Sequence, residues 1–264
     1  MMTRIWRLAL AGLMLLGLGV HSARALTEQD VDARIQKAIE AYVNSPAFDK
    51  RVEEGILKFI DKQRKEADAR KNGAAERVAA VNPEKDHVRG KVDAPFSLIE
   101  YSDFECPYCK RFHGTARTFI ERNPEVNWVY RNFPLDFHNP WAQREAEAAE
   151  CVAALAGNDV YWSYIDAIFE NTQSNGKGLR PGVSLRQLAT ERGVDGSQFD
   201  DCVKSGRFRP RIASELENGN AAGVTGTPGN FLRHNATGQV IAVPGAQPLD
   251  QLERALDALK SRVQ

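Results

Sequence analysis

The chain has 264 residues, 42% of them hydrophobic and 27% charged, the balance of a folded globular protein and not of a low-complexity or disordered one. Lys plus Arg and Asp plus Glu both number 35, so no basic surface for nucleic acid or for an acidic membrane is indicated. The four cysteines, two of them in Cys-Pro-Tyr-Cys, are left as the most informative chemistry.

Arg4 and Arg7 precede an apolar run from Leu8 to Val20, and Ala23-Arg24-Ala25 supplies a small-x-small end. Together these describe a secretory signal over residues 1–25, cleaved after Ala25. The apolar run falls short of the roughly 20 residues of a membrane-spanning helix. Cleavage removes Arg4, Arg7 and Arg24 and no acid, so 35 basic residues become 32 against 35 acidic, a net of −3. The three methionines, Met1, Met2 and Met14, leave with it. No later stretch is apolar enough to cross a membrane, so a soluble exported product is expected, in a compartment where all four cysteines can oxidise.

Residues 26–75 read as a helical extension. Thr27 with Asp30 makes a capping box, and Val31, Ile35, Ile39 and Tyr42/Val43 recur at helical spacing. Ser45-Pro46 starts a second helix, with a stripe of Phe48, Val52, Ile56 and Phe59/Ile60 opposite Lys50, Arg51, Glu54 and Lys58. About 45 residues in two amphipathic helices cannot enclose a core of their own. Their apolar faces are expected to cover another copy, making a homo-oligomer through residues 27–70, or else to dock on the rest of the chain.

Residues 72–94 read as a polar connector. Phe96 to Phe104 predicts a buried strand leading into a helix that opens at CPYC and ends near Asn123-Pro124. Val126 to Phe133 predicts a second strand. Helices follow at about 141–156, 159–171, 184–192, 197–205 and 208–220, then strands at 230–234 and 240–243 and a helix at 249–262. The order is strand, C-x-x-C helix, strand, helical insertion at about 139–222, two strands, helix: an α/β domain over residues 76–264.

A lone C-x-x-C can hold a metal, staple a fold or exchange disulfides. Cys106 stands at a helix start, where unpaired N–H groups and the helix dipole favour thiolate, so it is expected to be exposed and acidic. Cys109, one turn inside, is expected to be more buried, and Pro107 costs no helix hydrogen bond there. Such a pair suits attack on a disulfide by one thiolate and resolution by its neighbour. Glu100, in the apolar run FSLIEY, either points inward as a proton acceptor for Cys109 or sits on an edge strand in water. Thr227-Pro228, in GVTGTPGNF, is either an ordinary trans turn or a cis bond that leaves the Thr227 backbone free to pair with an extended substrate.

The segment IEYSDFECPYCKRFH resembles the active-site segment of the thioredoxin superfamily, in its exported DsbA-like branch. GVTGTP is similar to that branch's cis-proline loop, and HNPWAQREAEAAEC with YWSYIDAIF to its insertion helices, so the resemblance covers about residues 86–262. It implies a thioredoxin fold in the periplasm and a protein-disulfide oxidoreductase or isomerase. Its roles fall on Cys106 as nucleophile, Cys109 as resolving thiol and Glu100 as buried acid. Pro228 would be cis, with Thr227 presenting its backbone, and Pro107-Tyr108 would be the active-site dipeptide. No cofactor beyond the redox-active Cys106–Cys109 disulfide is implied. The implied partners are unfolded or misoxidised exported proteins and a membrane redox partner. Some relatives carry a second cysteine pair in the insertion, which implies a structural Cys151–Cys202 disulfide. Relatives with helical extensions include oligomers, some of them isomerases. Gly229-Asn230 departs from the bulkier residues common after this proline, which puts the geometry of the next strand in doubt.

Some exported relatives are linked with copper, and copper(I) can be held by two thiolates, so the alternative is a copper(I) carrier using Cys106 and Cys109 without turnover, a reading that the absence of methionine after cleavage weakens; His113 could share a helical flank with the two cysteines. A closed zinc site needs four ligands, and no second C-x-x-C is present to supply them. His113 is otherwise an ordinary helix residue, and His87, His138 and His234 stand without convergent partners. Lys110-Arg111 reads as a solvated helix face.

Overall fold

The structure is a computed structural model that describes residues 27–263. The signal segment expected at residues 1–25 lies outside the described residues. The chain divides into two compact units, with the boundary between Lys62 and Gln63.

The described residues of the first unit are helical. Helix α1 (Glu28–Val43) opens on a reciprocal cap, Asp30 N donating to Thr27 Oγ1 at 3.2 Å and Thr27 N to Asp30 Oδ2 at 3.1 Å. Helix α2 (Pro46–Ala75) opens where Ser45 Oγ accepts from Phe48 N, and it crosses into the second unit. Val31, Ile35, Ile39, Val52, Ile56, Phe59 and Ile60 are all exposed.

The second unit is built on five strands in the order β1-β3-β2-β4-β5: β1 (His87–Arg89), β2 (Phe96–Ser102), β3 (Val126–Asn132), β4 (Gly229–His234) and β5 (Val240–Ala242). Strands β2 and β3 run parallel, joined by helix α3 (Pro107–Arg122), while β4 pairs antiparallel with both β2 and β5. The central position of β2 explains its apolar composition, since a strand with neighbours on both edges and helices on both faces meets no water. Alternation sorts its side chains. Phe96 and Leu98 join Phe112, Ala116 and Phe119 of α3 and Leu252, Leu256 and Leu259 of helix α9 (Leu249–Val263) in the larger core. Ile99 and Tyr101 point the other way, into a smaller core with Ala75, Val78, Val129 and Phe231.

Between β3 and β4 lie helices α4 (Trp141–Ala156), α5 (Asn158–Asn171), α6 (Leu185–Thr190), α7 (Gly196–Ser205) and α8 (Arg209–Ala221). Helix α8 can lie close on the sheet because Gly219 has no side chain. A Cβ there would stand 2.7 Å from the Phe133 ring and 2.8 Å from Tyr101. Cys151 of α4 and Cys202 of α7 are bonded, S–S 2.00 Å, across a sequence separation of 51. A loop of that size corresponds to about 4 kcal/mol in the chain-entropy model.

One expectation changes. The connector holds strand β1, too short at three residues to show a periodicity. It is recruited by β3, which it pairs antiparallel from His87↔Tyr130 to Arg89↔Trp128. The histidines without convergent metal-ligating partners, read as structural or solvent-exposed, include two that are structural: His87 Nε2 meets Glu150 Oε2 at 3.0 Å, and His138 Nδ1 meets Asp103 Oδ2 at 2.7 Å. Both rings are buried, where an unpaired polar atom is costly, and the carboxylates come from distant sequence.

Candidate active site

Cys106 is the N-cap residue of α3, with extended backbone (φ −80°, ψ 121°), and Pro107 fills the first helical position. Its side chain makes no capping bond of the kind a Ser or Asp would make, so the first-turn N–H groups stay available to a negative sulfur. The Cys106 thiol is held down at about 6. The largest contribution is a hydrogen bond from Cys109; burial opposes it, and the Thr227 hydroxyl and the N–H groups of Cys109 and Tyr108 add to it. Contrary to the sequence expectation, Cys106 is not exposed. Only 4% of it meets solvent, because the loop carrying Thr227 lies across it. The Cys106 thiol donates to the Thr227 carbonyl at 3.4 Å. The 227–228 peptide bond is cis. Pro107 and Tyr108 are exposed, and the Arg111 guanidinium stacks 5.2 Å above the Tyr108 ring.

Cys109 is fully buried, and burial, together with its bond to Cys106 and the Cys106 and Glu100 charges, pushes its thiol well above the ordinary range. Glu100 is also fully buried, on the face of β2 turned toward α3. Burial raises its carboxyl to about 8, although Trp128 Nε1 donates to Oε2 at 3.0 Å. The site therefore holds one acidic thiol, one reluctant thiol and a carboxyl poised near neutrality.

Gly229 opens β4, and a Cβ there would lie 2.7 Å from Val224 Cγ1. The residue that departed from expectation is thus the one this tight turn requires. Its neighbour Asn230 lies opposite Glu100 in the ladder and donates through Nδ2 to Gly245 O at 3.0 Å.

Sequence reasoning missed a collar of acids behind the nucleophile. Asp103 accepts from Glu105 N, Leu135 N and His138 Nδ1. Glu105 accepts from Thr172 Oγ1 at 2.6 Å and Gly178 N at 3.1 Å, and its carbonyl from Asn175 N at 2.7 Å. Glu145 of α4 is raised to about 10 by burial and by the Glu105 carboxylate. Two acids flanking Phe104 in SDFEC were the only signal available. Lys110, read as solvated, donates through Nζ to Thr172 O at 2.6 Å. His113 Nε2 meets Asp166 Oδ1 at 2.6 Å, and Asp166 is also paired with Arg89. Among the described residues no group of three or more His, Cys, Asp and Glu side chains is placed to hold a metal ion.

A thioredoxin family model matches residues 82–258, most of the second unit. The chain belongs to the thioredoxin family. Within it the likeness is to DsbA-type proteins. DsbA2 of Pseudomonas aeruginosa is 30% identical, superposes with a TM-score of 0.59 and is covered over 94% of its length by 66% of this chain. BdbD of Bacillus subtilis, in its oxidised form, shares the fold at 19% identity and TM-score 0.58, over 69% of this chain and 96% of its own. BcfH of Salmonella enterica Typhimurium does so at 14% identity and TM-score 0.64, over 87% of this chain and 96% of its own. Among curated sequences, the Na(+)/H(+) antiporter NhaA 3 of Salinispora tropica is 33% identical over 177 residues, 66% of this thioredoxin-family chain. The match spans about a quarter of that relative's length, 26%.

Proposed function

We propose that the protein is an exported, periplasmic protein-disulfide oxidoreductase that forms or shuffles disulfides through Cys106 and Cys109. The observation that carries this reading is the opposed acidity of the two thiols, Cys106 at about 6 and Cys109 pushed well up, over a buried carboxyl. At neutral pH such a site holds a Cys106 thiolate ready to attack, and a Cys109 that stays protonated until it is needed.

In disulfide donation, a substrate thiolate attacks Cys106 of the Cys106–Cys109 disulfide. Cys109 leaves as a thiolate and takes a proton from Glu100. A second substrate thiolate then attacks the mixed disulfide, and Cys106 leaves as the thiolate its surroundings favour. A stabilised leaving thiolate makes the oxidised pair a better oxidant. Thr227, whose carbonyl already lies against Cys106, would align the substrate backbone, with Pro228 shaping the loop. Reduction or isomerisation runs the same exchanges from the dithiol.

The basic, apolar and small-residue start of the sequence supports a signal removed after Ala25, leaving the extension (26–75) and the catalytic domain (76–264). The substrates would be unfolded or misoxidised exported proteins, and a membrane redox partner would reset the pair. The exposed apolar stripe of α1 and α2 supports self-association through residues 27–70, the arrangement a shuffling enzyme with several sites would use.

The test is oxidation of a reduced protein, and rescue of a scrambled one, by wild type and by Cys106→Ala. Activity lost in the variant is expected. Equal activity in the two, or none in wild type alongside tight copper(I) uptake, would overturn the enzyme. The redox state of the pair in intact cells decides donation against reduction, and light scattering with and without residues 26–75 decides self-association.

A further inference from the structure

Glu100 and Ser102 of β2 stand on the face that carries Trp128 and Tyr130 of β3, with Glu100 beside Tyr130 in the parallel ladder. All four are at most 1% exposed and belong to the layer that α3 covers with Cys109. Trp128 is engaged with Glu100 Oε2, but Glu100 Oε1, Ser102 Oγ and the Tyr130 hydroxyl have no fixed hydrogen-bond partner. A buried polar atom left unpaired costs about 1–3 kcal/mol, and three in one small region call for a reason.

Ser102 differs from the other two in reach. Its hydroxyl lowers the proton affinity of Glu100, of Cys109 and of Tyr130, so it is near enough to act on all three while locked to none. A hydroxyl donates and accepts at once and turns freely about its Cβ–Oγ bond. The Tyr130 hydroxyl has the same chemistry, but of the two only Ser102 bears by hydrogen bonding on both Cys109 and Glu100.

We propose that Ser102 is a positioning residue for proton transfer between Cys109 and Glu100, its hydroxyl accepting from the one and donating to the other. This rests on the disulfide-exchange reading of the same site. In a mixed disulfide between Cys106 and substrate, the Cys109 S–H bond breaks toward Ser102 Oγ while the Ser102 O–H proton passes to Glu100. Cys109 Sγ then bonds to Cys106 Sγ, the Cys106–substrate S–S bond breaks, and its electron pair leaves on the substrate sulfur. The cysteine pair is oxidised, the substrate disulfide is reduced, and Ser102 keeps its proton count. Donation runs the steps backward.

The titratable and charged groups facing this layer are Cys106, Cys109 and His113 from α3, Glu100, Tyr130, Arg89 of β1 and, from α5, Tyr161; His113 and Arg89 lie against Trp128 and both pair with Asp166, and behind Tyr161 lie Glu150, Glu215 and Arg211. Burial pushes both phenols well up and the His113 imidazole down, so above neutral pH Glu100 and the two thiols are the groups left to titrate here.

The test uses the full chain with Ser102→Ala and Ser102→Thr. In the reduced protein, the carboxyl ¹³C titration of Glu100 is followed without substrate; in quench experiments, the pH profile of mixed-disulfide resolution is measured. Ser102→Ala is expected to move the Glu100 midpoint above about 8. It should slow resolution near neutral pH about tenfold, the effect of one unit in proton affinity. Ser102→Thr is expected to restore both. Superimposable titrations and profiles for Ser102→Ala and wild type, or a Thr variant as slow as Ala, would overturn the proposal. If the Ala variant does not fold, the solvent-isotope dependence of resolution in wild type decides. A curved dependence, with two protons in flight, supports the relay, whereas a linear or absent one overturns it. A wild type that never turns over substrate would sink the enzyme reading and the relay together, whereas an active wild type whose Glu100 midpoint and resolution profile are unmoved by Ser102→Ala overturns the relay alone.

Discussion

Trp128 Nε1 donates to Glu100 Oε2 at 3.0 Å, between two side chains that no solvent reaches. The bond favours the charged carboxylate and so works against burial, which has already raised Glu100 to about 8. Trp128→Phe removes the donor and keeps an aromatic ring. The Glu100 titration should move to higher pH, followed by carboxyl ¹³C shifts, and urea unfolding should show a loss of about 1–3 kcal/mol from the smaller ring and the unpaired oxygen.

Alkylation of the reduced protein should titrate Cys106 with a midpoint of about 6, and Cys109→Ala should move it upward by removing the largest stabilising contact. The sign of the linked stability follows. A thiol depressed in the folded state contributes stability that is complete above its unfolded value, about 8.5, and disappears as pH falls through about 6. The reduced form should therefore gain on the oxidised form as pH rises across that interval, measured as the difference between their urea midpoints.

Glu145 carries the opposite sign. Its carboxyl titrates at about 10 in the fold, against about 4.3 when unfolded, so folding is progressively penalised as pH rises through that window. Glu145→Gln removes the titration and keeps the shape. Its stability should exceed that of wild type near neutral pH, by a margin that grows with pH until about 10. A constant or inverted margin in urea midpoints between pH 5 and 9 would contradict the charge argument.

Removing both ends of the long covalent loop, Cys151→Ser with Cys202→Ser, should lower unfolding free energy by about 2–4 kcal/mol. The bond joins α4 to α7, and the Cys106 alkylation midpoint should be unchanged.

Gly229→Ala places a methyl 2.7 Å from Val224 Cγ1, and overpacking of this kind costs about 1–3 kcal/mol. Val224→Ala in the same chain should recover part of the loss, and thermal unfolding of the two variants is the measurement.

Much of this arrangement is readable from residue order. The cap at Thr27, the run FSLIEY and the Pro107 helix start each announce themselves locally, and the structure has a helix or strand at each. Glu100 shows where local reading stops. Period-two alternation tells which residues share a face but not whether the strand is central, and that depends on β3 and β4, pairing from both sides. The acids Asp103, Glu105 and Glu145 are legible only as a composition. Asp103 and Glu105 are held in place by His138, Thr172 and Gly178, which lie dozens of residues away from them. Gly229 looked like a weakness because Val224, the side chain that excludes any other residue, is part of the same turn and has no distinctive signature.

The Cys151–Cys202 bond has a consequence for how the protein comes into being. Every newly made chain arrives with four thiols and must lose two of them to reach its stapled form. A protein proposed to trade disulfides is then among its own first clients. If the pair works as a donor, supply of the mature form would feed on itself, with finished copies oxidising the next, and a cell emptied of them would recover with a lag before it accelerated.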